Sequence, residues 1–375
     1  MQKLLKVTKF APLVLIGALL VGCGGNQAPA GGGAAPAPAP GGGGAGAEAS
    51  APDHVPHIEL ISKGFQHDFW QAVYAGARQA AETHNATINF VGPPTEAHIA
   101  EQVDMLNVAI NLGPDAIGFA ALDTGAALDA IYRAMDAGIP MIGFDSGVPD
   151  APEGSILANA STDNVAAGAL AATYMYPAIQ DRIGGDLIRV GVLVQEVQGM
   201  SNYGRARGFI DEMYALLNAD ANVTGVSIVG HTLFNNNVSD YNVVIEVRVP
   251  AEITNPSGQA EAMALLNMPD LVGIFGANEF SANVMIFGND ALANGRLGVD
   301  VVGIGFDAGT LQIDAVRNEV FFGSITQDPV SIGYYTVFLA LEALAGRTVS
   351  DVDTGARFWY HGNVDNPEIW ALLYE

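Results

Sequence analysis

The sequence has one cysteine in 375 residues. That count excludes an intramolecular disulfide and a cysteine-rich zinc site. Lysine is nearly as scarce: Lys3, Lys6 and Lys9 cluster at the start, and only Lys63 follows. Basic residues number 15 against 40 acidic ones, a formal net charge of −25. A surface that tracks phosphates needs clustered Lys and Arg, so this composition argues against nucleic-acid binding. Catalytic signatures are missing too. There is no GxSxG, no HExxH, no GxxxxGK[ST], and no GxGxxG opening a helix. The Asn/Asp-rich run 235–240 lacks the glycine and terminal glutamate of a calcium loop. No metal, cofactor or enzymatic activity is expected. Half of the residues are hydrophobic, only 15% are charged, and the mean hydropathy is +0.26. Such a chain is too apolar to be disordered, and its length suggests two domains at roughly 100–200 residues each.

The N-terminus has the form of an export leader. Lys3, Lys6 and Lys9 precede an apolar run from Phe10 to Val21. At about twelve residues this run is shorter than the roughly 20 that a bilayer-spanning helix needs. No later stretch reaches that length without a charge. The run ends in Leu20-Val21-Gly22-Cys23, which resembles the bacterial lipobox. That resemblance implies lipidation of Cys23 and an extracytoplasmic protein tethered to a membrane. Taking the three leader lysines from the 15 basic residues leaves 12 against 40 acids, a formal charge of about −28. Residues 24–53 are almost all Gly, Ala and Pro, a composition that cannot bury enough apolar surface to offset ordering; a disordered tether is expected.

From His57 onward, short β-rich runs alternate with helical stretches. Strands are predicted near 57–62, 87–91, 116–120, 141–144, 189–194, 271–275, 301–304 and 322–325. Helices are predicted near 67–84, 96–112, 124–137, 163–181, 204–218, 279–294, 308–318 and 329–345. Many of the strands are almost wholly apolar, as parallel strands covered on both faces are. The fold class is therefore α/β, with two doubly wound parallel sheets. Ligands in such folds bind beyond the carboxyl ends of the strands. Polar and aromatic residues recur at those ends: His67-Asp68-Phe69-Trp70, Asp145-Ser146-Gly147, Asn202-Tyr203-Gly204-Arg205, Asn278-Glu279, Phe306-Asp307 and Thr326-Gln327-Asp328. Carboxylates, amides and a guanidinium bond hydroxyls, and aromatic faces stack on sugar rings. This is the chemistry of a neutral polyhydroxylated ligand.

Across these segments the chain, from about residue 57 to 374, resembles a ribose-type periplasmic binding protein, the type I sugar-binding component of ABC transporters. The matching segments, in order, are Phe69-Trp70, Ile139 to Asp145, Thr162-Asp163-Asn164 with Gly168, Arg205 with Gly208-Phe209, Ala277-Asn278-Glu279, Val302 to Asp307, and Thr326 to Pro329. The resemblance implies two Rossmann-like lobes joined by three crossovers, at about 54–162 plus 328–352 and 163–327 plus 353–375. It implies a monomer that delivers a monosaccharide to membrane permease subunits. Carried over position by position, His67, Phe69, Trp70, Asp145, Ser146 and Asn164 line the cleft from one side. Arg205, Phe234, Asn278, Asp307 and Gln327 line it from the other. Phe69 and Trp70 stack on the ring, Asp145 and Asp307 accept from vicinal hydroxyls, Arg205 donates, and Asn278 and Gln327 do both. Phe234 supplies a further aromatic contact. His67 replaces an asparagine of the ribose-type site, Ser146 a second arginine and Trp70 a smaller aromatic, so the ligand need not be ribose. The β-rich run 243–249 has no counterpart in the family and is expected to be an inserted hairpin or an extra edge strand.

Plainer roles stand beside these. Asp307 and His67 could cap helices, Asp145 could make a turn, Arg205 could pair with acidic neighbours, one of Phe69 and Trp70 could be core, and Asn164 could serve the hinge. Other ligands fit the same fold: a polyol, an autoinducer-2-like furanose or a nucleoside. A receptor coupled to a sensor kinase is the alternative to one that feeds a permease.

Overall fold

A computed structural model describes residues 54–65 and 67–374. The expected leader, its Cys23 and the expected tether at 24–53 lie outside the described residues. In chain order the first part runs β1 (His57–Ile61), α1 (Asp68–His84), β2 (Thr87–Val91), α2 (Ile99–Leu112), β3 (Ala116–Phe119), α3 (Leu128–Asp136), β4 (Met141–Phe144) and β5 (Ile156–Ser161). It continues with α4 (Asn164–Ile179), β6 (Ile188–Leu193), α5 (Met200–Ala219), β7 (Val226–Val229), β8 (Val243–Arg248), α6 (Asn255–Leu266), β9 (Leu271–Gly276) and α7 (Glu279–Asp290). It closes with β10 (Val302–Phe306), α8 (Thr310–Arg317), β11 (Gly323–Gln327), α9 (Pro329–Leu344), β12 (Val352–Asp353), β13 (Ala356–Trp359) and α10 (Pro367–Trp370).

Two sheets result. The first is six-stranded in the order β12-β5-β4-β3-β1-β2, and the second seven-stranded in the order β13-β11-β10-β9-β6-β8-β7. All pairings are parallel except that of β11 with β13. Strand order reverses at β1/β3 in one sheet and at β6/β9 in the other, which directs attention to the carboxyl ends of those strands. The chain passes between the sheets after β5, after β11 and between β12 and β13. The central strands have continuous apolar sequences, such as MIGF in β4 and LVGIFG in β9, and both are buried throughout.

The second sheet departs from the expected layout around 226–248. The run 243–248 is neither a hairpin nor an edge strand. It is β8, an interior strand paired parallel with β6 on one side and β7 on the other. Five of its six residues are buried, as its apolar sequence requires. Its one acid, Glu246, is met by Arg189 and Arg248. The edge is instead β7, a strand of four residues.

Glycines let two helix pairs approach closely. A Cβ on Gly208 of α5 would lie 1.9 Å from the Val165 carbonyl oxygen of α4, and one on Gly168 of α4 would lie 2.0 Å from the Arg205 carbonyl oxygen. The same device joins α1 and α9, where a Cβ on Gly333 would lie 1.8 Å from the Val73 carbonyl oxygen. The backbone carrying Arg205 is thereby pinned against α4. Among the described residues no helix is long and apolar enough to cross a membrane.

Candidate ligand-binding site

A cavity of about 350 Å³ lies between the carboxyl ends of the two sheets. Eight of the anticipated residues line it: His67, Phe69, Trp70, Asp145, Arg205, Asn278, Asp307 and Gln327. Lys63, Glu96, Gln195, Asn202 and Glu279 also line it, and the sequence reading gave none of them a role.

Arg205 is 3% exposed, on the second turn of α5. Its Nε donates to Asn164 Oδ1 at 2.8 Å, and Nη1 lies 3.4 Å from both Asp307 Oδ2 and the Ala277 carbonyl oxygen. Nη2 lies 3.9 Å from Asp145 Oδ1, and the guanidinium sits 3.9 Å from the centre of the Phe306 ring. Stacking and fixed hydrogen bonds hold the fork in place before any ligand arrives.

Lys63 follows β1 and is buried. Its Nζ lies 3.1 Å from Asp145 Oδ2, 3.0 Å from Ser201 Oγ and 4.0 Å from Glu96 Oε2. Burial alone would lower the lysine pKa, but Asp145, Glu96 and Glu196 outweigh it and raise the value, so the ammonium stays charged. Burial likewise would raise the pKa of Glu96; Lys63, then His67 and hydrogen bonds from Gln195 and Trp70 outweigh it and lower the value. Trp70 Nε1 donates to Glu96 Oε1 at 3.1 Å, Gln195 Nε2 to Glu96 Oε2 at 2.9 Å, and Asn278 Nδ2 to Gln195 Oε1 at 2.9 Å. A continuous polar chain thus crosses from one sheet's side of the cavity to the other.

Several side chains do two jobs. His67 Nδ1 caps α1 by accepting the Phe69 N–H, while its Nε2 lies 3.2 Å from Glu279 Oε2 across the cavity. Asn278 Oδ1 caps α7 by accepting the Ser281 N–H at 3.0 Å. Asp307 does not cap its own helix. It accepts from Gln327 Nε2 at 2.6 Å and from the Glu279 N–H at 3.3 Å.

Three anticipated residues do not line the cavity. Asn164 lies behind Arg205 and orients it, donating from Nδ2 to the Thr162 carbonyl oxygen at 3.1 Å. Ser146 is buried at a contact between the two sides, where its Oγ accepts from the Ser201 N–H at 3.5 Å. Phe234 is packed in the second sheet's core beside Tyr203, with 5.6 Å between ring centres. The cause is the additional strand. Residue 234 falls in the link from β7 to β8, and it is the link after β8 that reaches the cavity, through Ile253 and Asn255.

The cavity wall presents acceptors that lack donors. Asn202 Oδ1 and Gln327 Oε1 are buried with no hydrogen-bond partner, and Asp145 Oδ2 has Lys63 nearby but no aligned hydrogen bond. Such groups are costly unless something donates to them. With the free edge of Arg205 as donor and Phe69, Trp70 and Phe280 as apolar surface, the arrangement suits a compact molecule bearing several hydroxyls. Among the described residues no group of three or more His, Cys, Asp or Glu side chains could hold a metal ion.

The fold and this cavity define a two-lobed solute-binding protein. A family model described as periplasmic binding protein domain matches residues 58–348, and the chain belongs to that family, the type I binding proteins of sugar transporters. The chain is similar to a solved structure titled as an ABC transporter, LacI family transcriptional regulator, from Brachyspira murdochii. They share 38% identity over 86% of this chain and 99% of that one, with a TM-score of 0.74. It is also similar to an ABC transporter solute-binding protein from Agrobacterium vitis with bound D-fucose (29% identity, 85% and 100% coverage, TM-score 0.71). Another from the same organism is bound with alpha-D-tagatopyranose (27% identity, 85% and 99% coverage, TM-score 0.72). No match is found among curated protein sequences.

Proposed function

We propose that this chain captures a neutral monosaccharide between two lobes and delivers it to the membrane subunits of an ABC transporter. The lobes are taken as about 54–162 with 328–352, and 163–327 with 353–375. The observation that carries the reading is the pair of undonated acceptors, Asn202 Oδ1 and Gln327 Oε1, beside the fixed guanidinium of Arg205. Vicinal hydroxyls supply the missing donors, and a ring or hydroxyl oxygen accepts from Arg205. Lys63–Ser201, Glu96–Gln195, Arg205–Asp145 and His67–Glu279 are contacts made only when the lobes meet. Ligand that bonds both lobes therefore favours the closed arrangement. The lipobox-like sequence ending at Cys23 and the Gly/Ala/Pro-rich stretch after it support a protein held outside the cytoplasm by a lipid, and the family resemblance supports a monomer. The D-fucose and tagatopyranose of similar proteins support a hexose or deoxyhexose as ligand.

The test is thermal denaturation of the purified protein with D-fucose, D-tagatose, other pentoses and hexoses, polyols and nucleosides. A ligand at roughly 1,000 times its dissociation constant adds about 4 kcal/mol of stability, a shift of several degrees. A shift with one or a few monosaccharides is expected. A shift with nucleosides alone replaces the ligand class, and a folded protein that responds to none of these compounds refutes the reading.

A further inference from the structure

The last described residues, 371–374, pack beside the cavity. Tyr374 is buried, and its hydroxyl accepts the Ala308 N–H at 3.3 Å and donates to Glu279 Oε2 at 3.2 Å. Its carbonyl oxygen accepts the Gly309 N–H at 3.1 Å, and the Leu372 carbonyl oxygen accepts from Thr326 Oγ1 at 3.2 Å. The terminal turn is therefore fixed to the ends of β10 and β11. The Tyr374 ring meets Phe69 of α1 edge-on, with 6.0 Å between centres. Phe69 and His67 come from the first sheet's side, and Glu279, Ala308 and Gly309 from the second's. A residue some 95 positions after Glu279 thus touches both sides of the cleft.

We propose that Tyr374 is a positioning residue of the ligand cavity: its anchored hydroxyl fixes the Glu279 carboxylate where His67 of the opposite lobe meets it. The inference rests on the capture reading for its consequence, because it makes lobe closure depend on the turn that carries Tyr374.

The groups facing Glu279 are His67 and Asp68 at the start of α1, Asp307 after β10, and Tyr374. Burial raises the Glu279 pKa to about 7; Asp307 and Asp68 add to the rise, while His67 and the Tyr374 hydrogen bond oppose it. Burial, Asp307 and Glu279 push the Tyr374 pKa well above its usual value, so the hydroxyl keeps its proton throughout that range. A carboxyl with a raised pKa contributes its stability fully below the ordinary carboxyl range and loses it as pH rises toward about 7. The Tyr374 bond favours the ionised form, so removing the hydroxyl moves this loss to higher pH.

The experiment compares melting temperature against pH for the full-length wild type, Tyr374→Phe, Glu279→Gln and the double variant. The expected wild-type curve falls relative to Glu279→Gln as pH rises through this window. Tyr374→Phe should displace that fall upward in pH, and the tyrosine change should become independent of pH in the Glu279→Gln background. A Tyr374→Phe curve parallel to wild type at every pH would reduce the tyrosine to packing and overturn the proposal. If Tyr374→Phe does not fold, the Glu279 carboxyl is followed by NMR in the wild type and in His67→Gln. A midpoint near 7 that rises in His67→Gln is expected; one near the ordinary 4.5 overturns the proposal. Binding of D-fucose should weaken more in Tyr374→Phe at pH 8 than at pH 5. A wild type that binds no sugar refutes the capture reading and leaves the melting comparison to decide Tyr374.

Discussion

Asp145 and Asp307 occupy equivalent places in the two sheets. Each directly follows a parallel strand, β4 or β10, and each has a left-handed backbone, with φ of 55° and 74°. Aspartate tolerates that region better than most residues, yet such conformations still cost roughly 1–3 kcal/mol each and concentrate at functional sites. Arg205 stands between them, 3.9 Å from one carboxylate and 3.4 Å from the other. One guanidinium therefore joins the two sheets at the floor of the cavity.

Arg205→Lys tests that junction. Lysine keeps the charge but loses the fork, the Asn164 bond and the stacking on Phe306. Hydrogen bonds to charged groups are worth about 1.5–3 kcal/mol, so sugar affinity should fall roughly tenfold or more by calorimetry. Wild-type affinity in this variant would remove Arg205 from the site.

Lys63→Met leaves Asp145 and Glu96 without their nearest cation. Breaking a buried pair typically costs about 3–5 kcal/mol, so the denaturant midpoint should drop sharply. The acid response should move as well. Glu96, with its lowered pKa, contributes stability above the ordinary carboxyl range and loses it as pH falls through the depressed value. Without Lys63 that value rises, and acid unfolding followed by circular dichroism should begin at higher pH. An unchanged acid midpoint would show that Lys63 does not hold Glu96.

The parallel sheets were legible because their central strands are unbroken apolar runs. Four strands not predicted lack that signal: β5 reads ILANAS, diluted by small and polar residues, β7 and β13 are four-residue edges, and β12 has only two residues. Helix α6 has a capped start in Thr254-Asn255-Pro256, but its apolar residues do not gather on one face, so periodicity does not mark it. Asp145 and Asp307 could be found because they follow strands directly. Glu96 and Tyr374 could not, since only tertiary folding brings a loop before α2 and the turn after α10 to the cavity. Lys63 had a usable signal, as the only lysine after Lys9 and placed at a strand's carboxyl end.

Helix packing offers a further check on Arg205. Gly168→Ala and Gly208→Ala each place a methyl about 2 Å from a carbonyl oxygen of the facing helix. The helices must separate, at a cost of about 1–3 kcal/mol, and Arg205 moves with α5. Both variants should lose stability and sugar affinity together. Gly184→Ala meets open space and should change stability by less than about 0.5 kcal/mol. Equal melting temperatures for all three would mean that α4 and α5 are not in such close contact.

The charge of the wall bears on which sugars enter. Glu96, Asp145, Glu279 and Asp307 face Lys63 and Arg205, and each of these two cations already has a carboxylate beside it. A neutral sugar brings hydroxyl donors to the unpaired acceptors. A sugar carboxylate brings a further negative charge to a cavity in which four carboxyl groups already outnumber Lys63 and Arg205, and like charges in a poorly solvated cavity repel strongly. D-galacturonate should therefore bind at least tenfold more weakly than D-fucose, a difference of about 1.4 kcal/mol or more. Lowering the pH toward 5 should narrow the gap, because Glu279 then becomes neutral. Calorimetry of both sugars at pH 8 and pH 5 measures this directly, and equal or tighter binding of the acid at pH 8 would show that Lys63 or Arg205 is free to meet an anion.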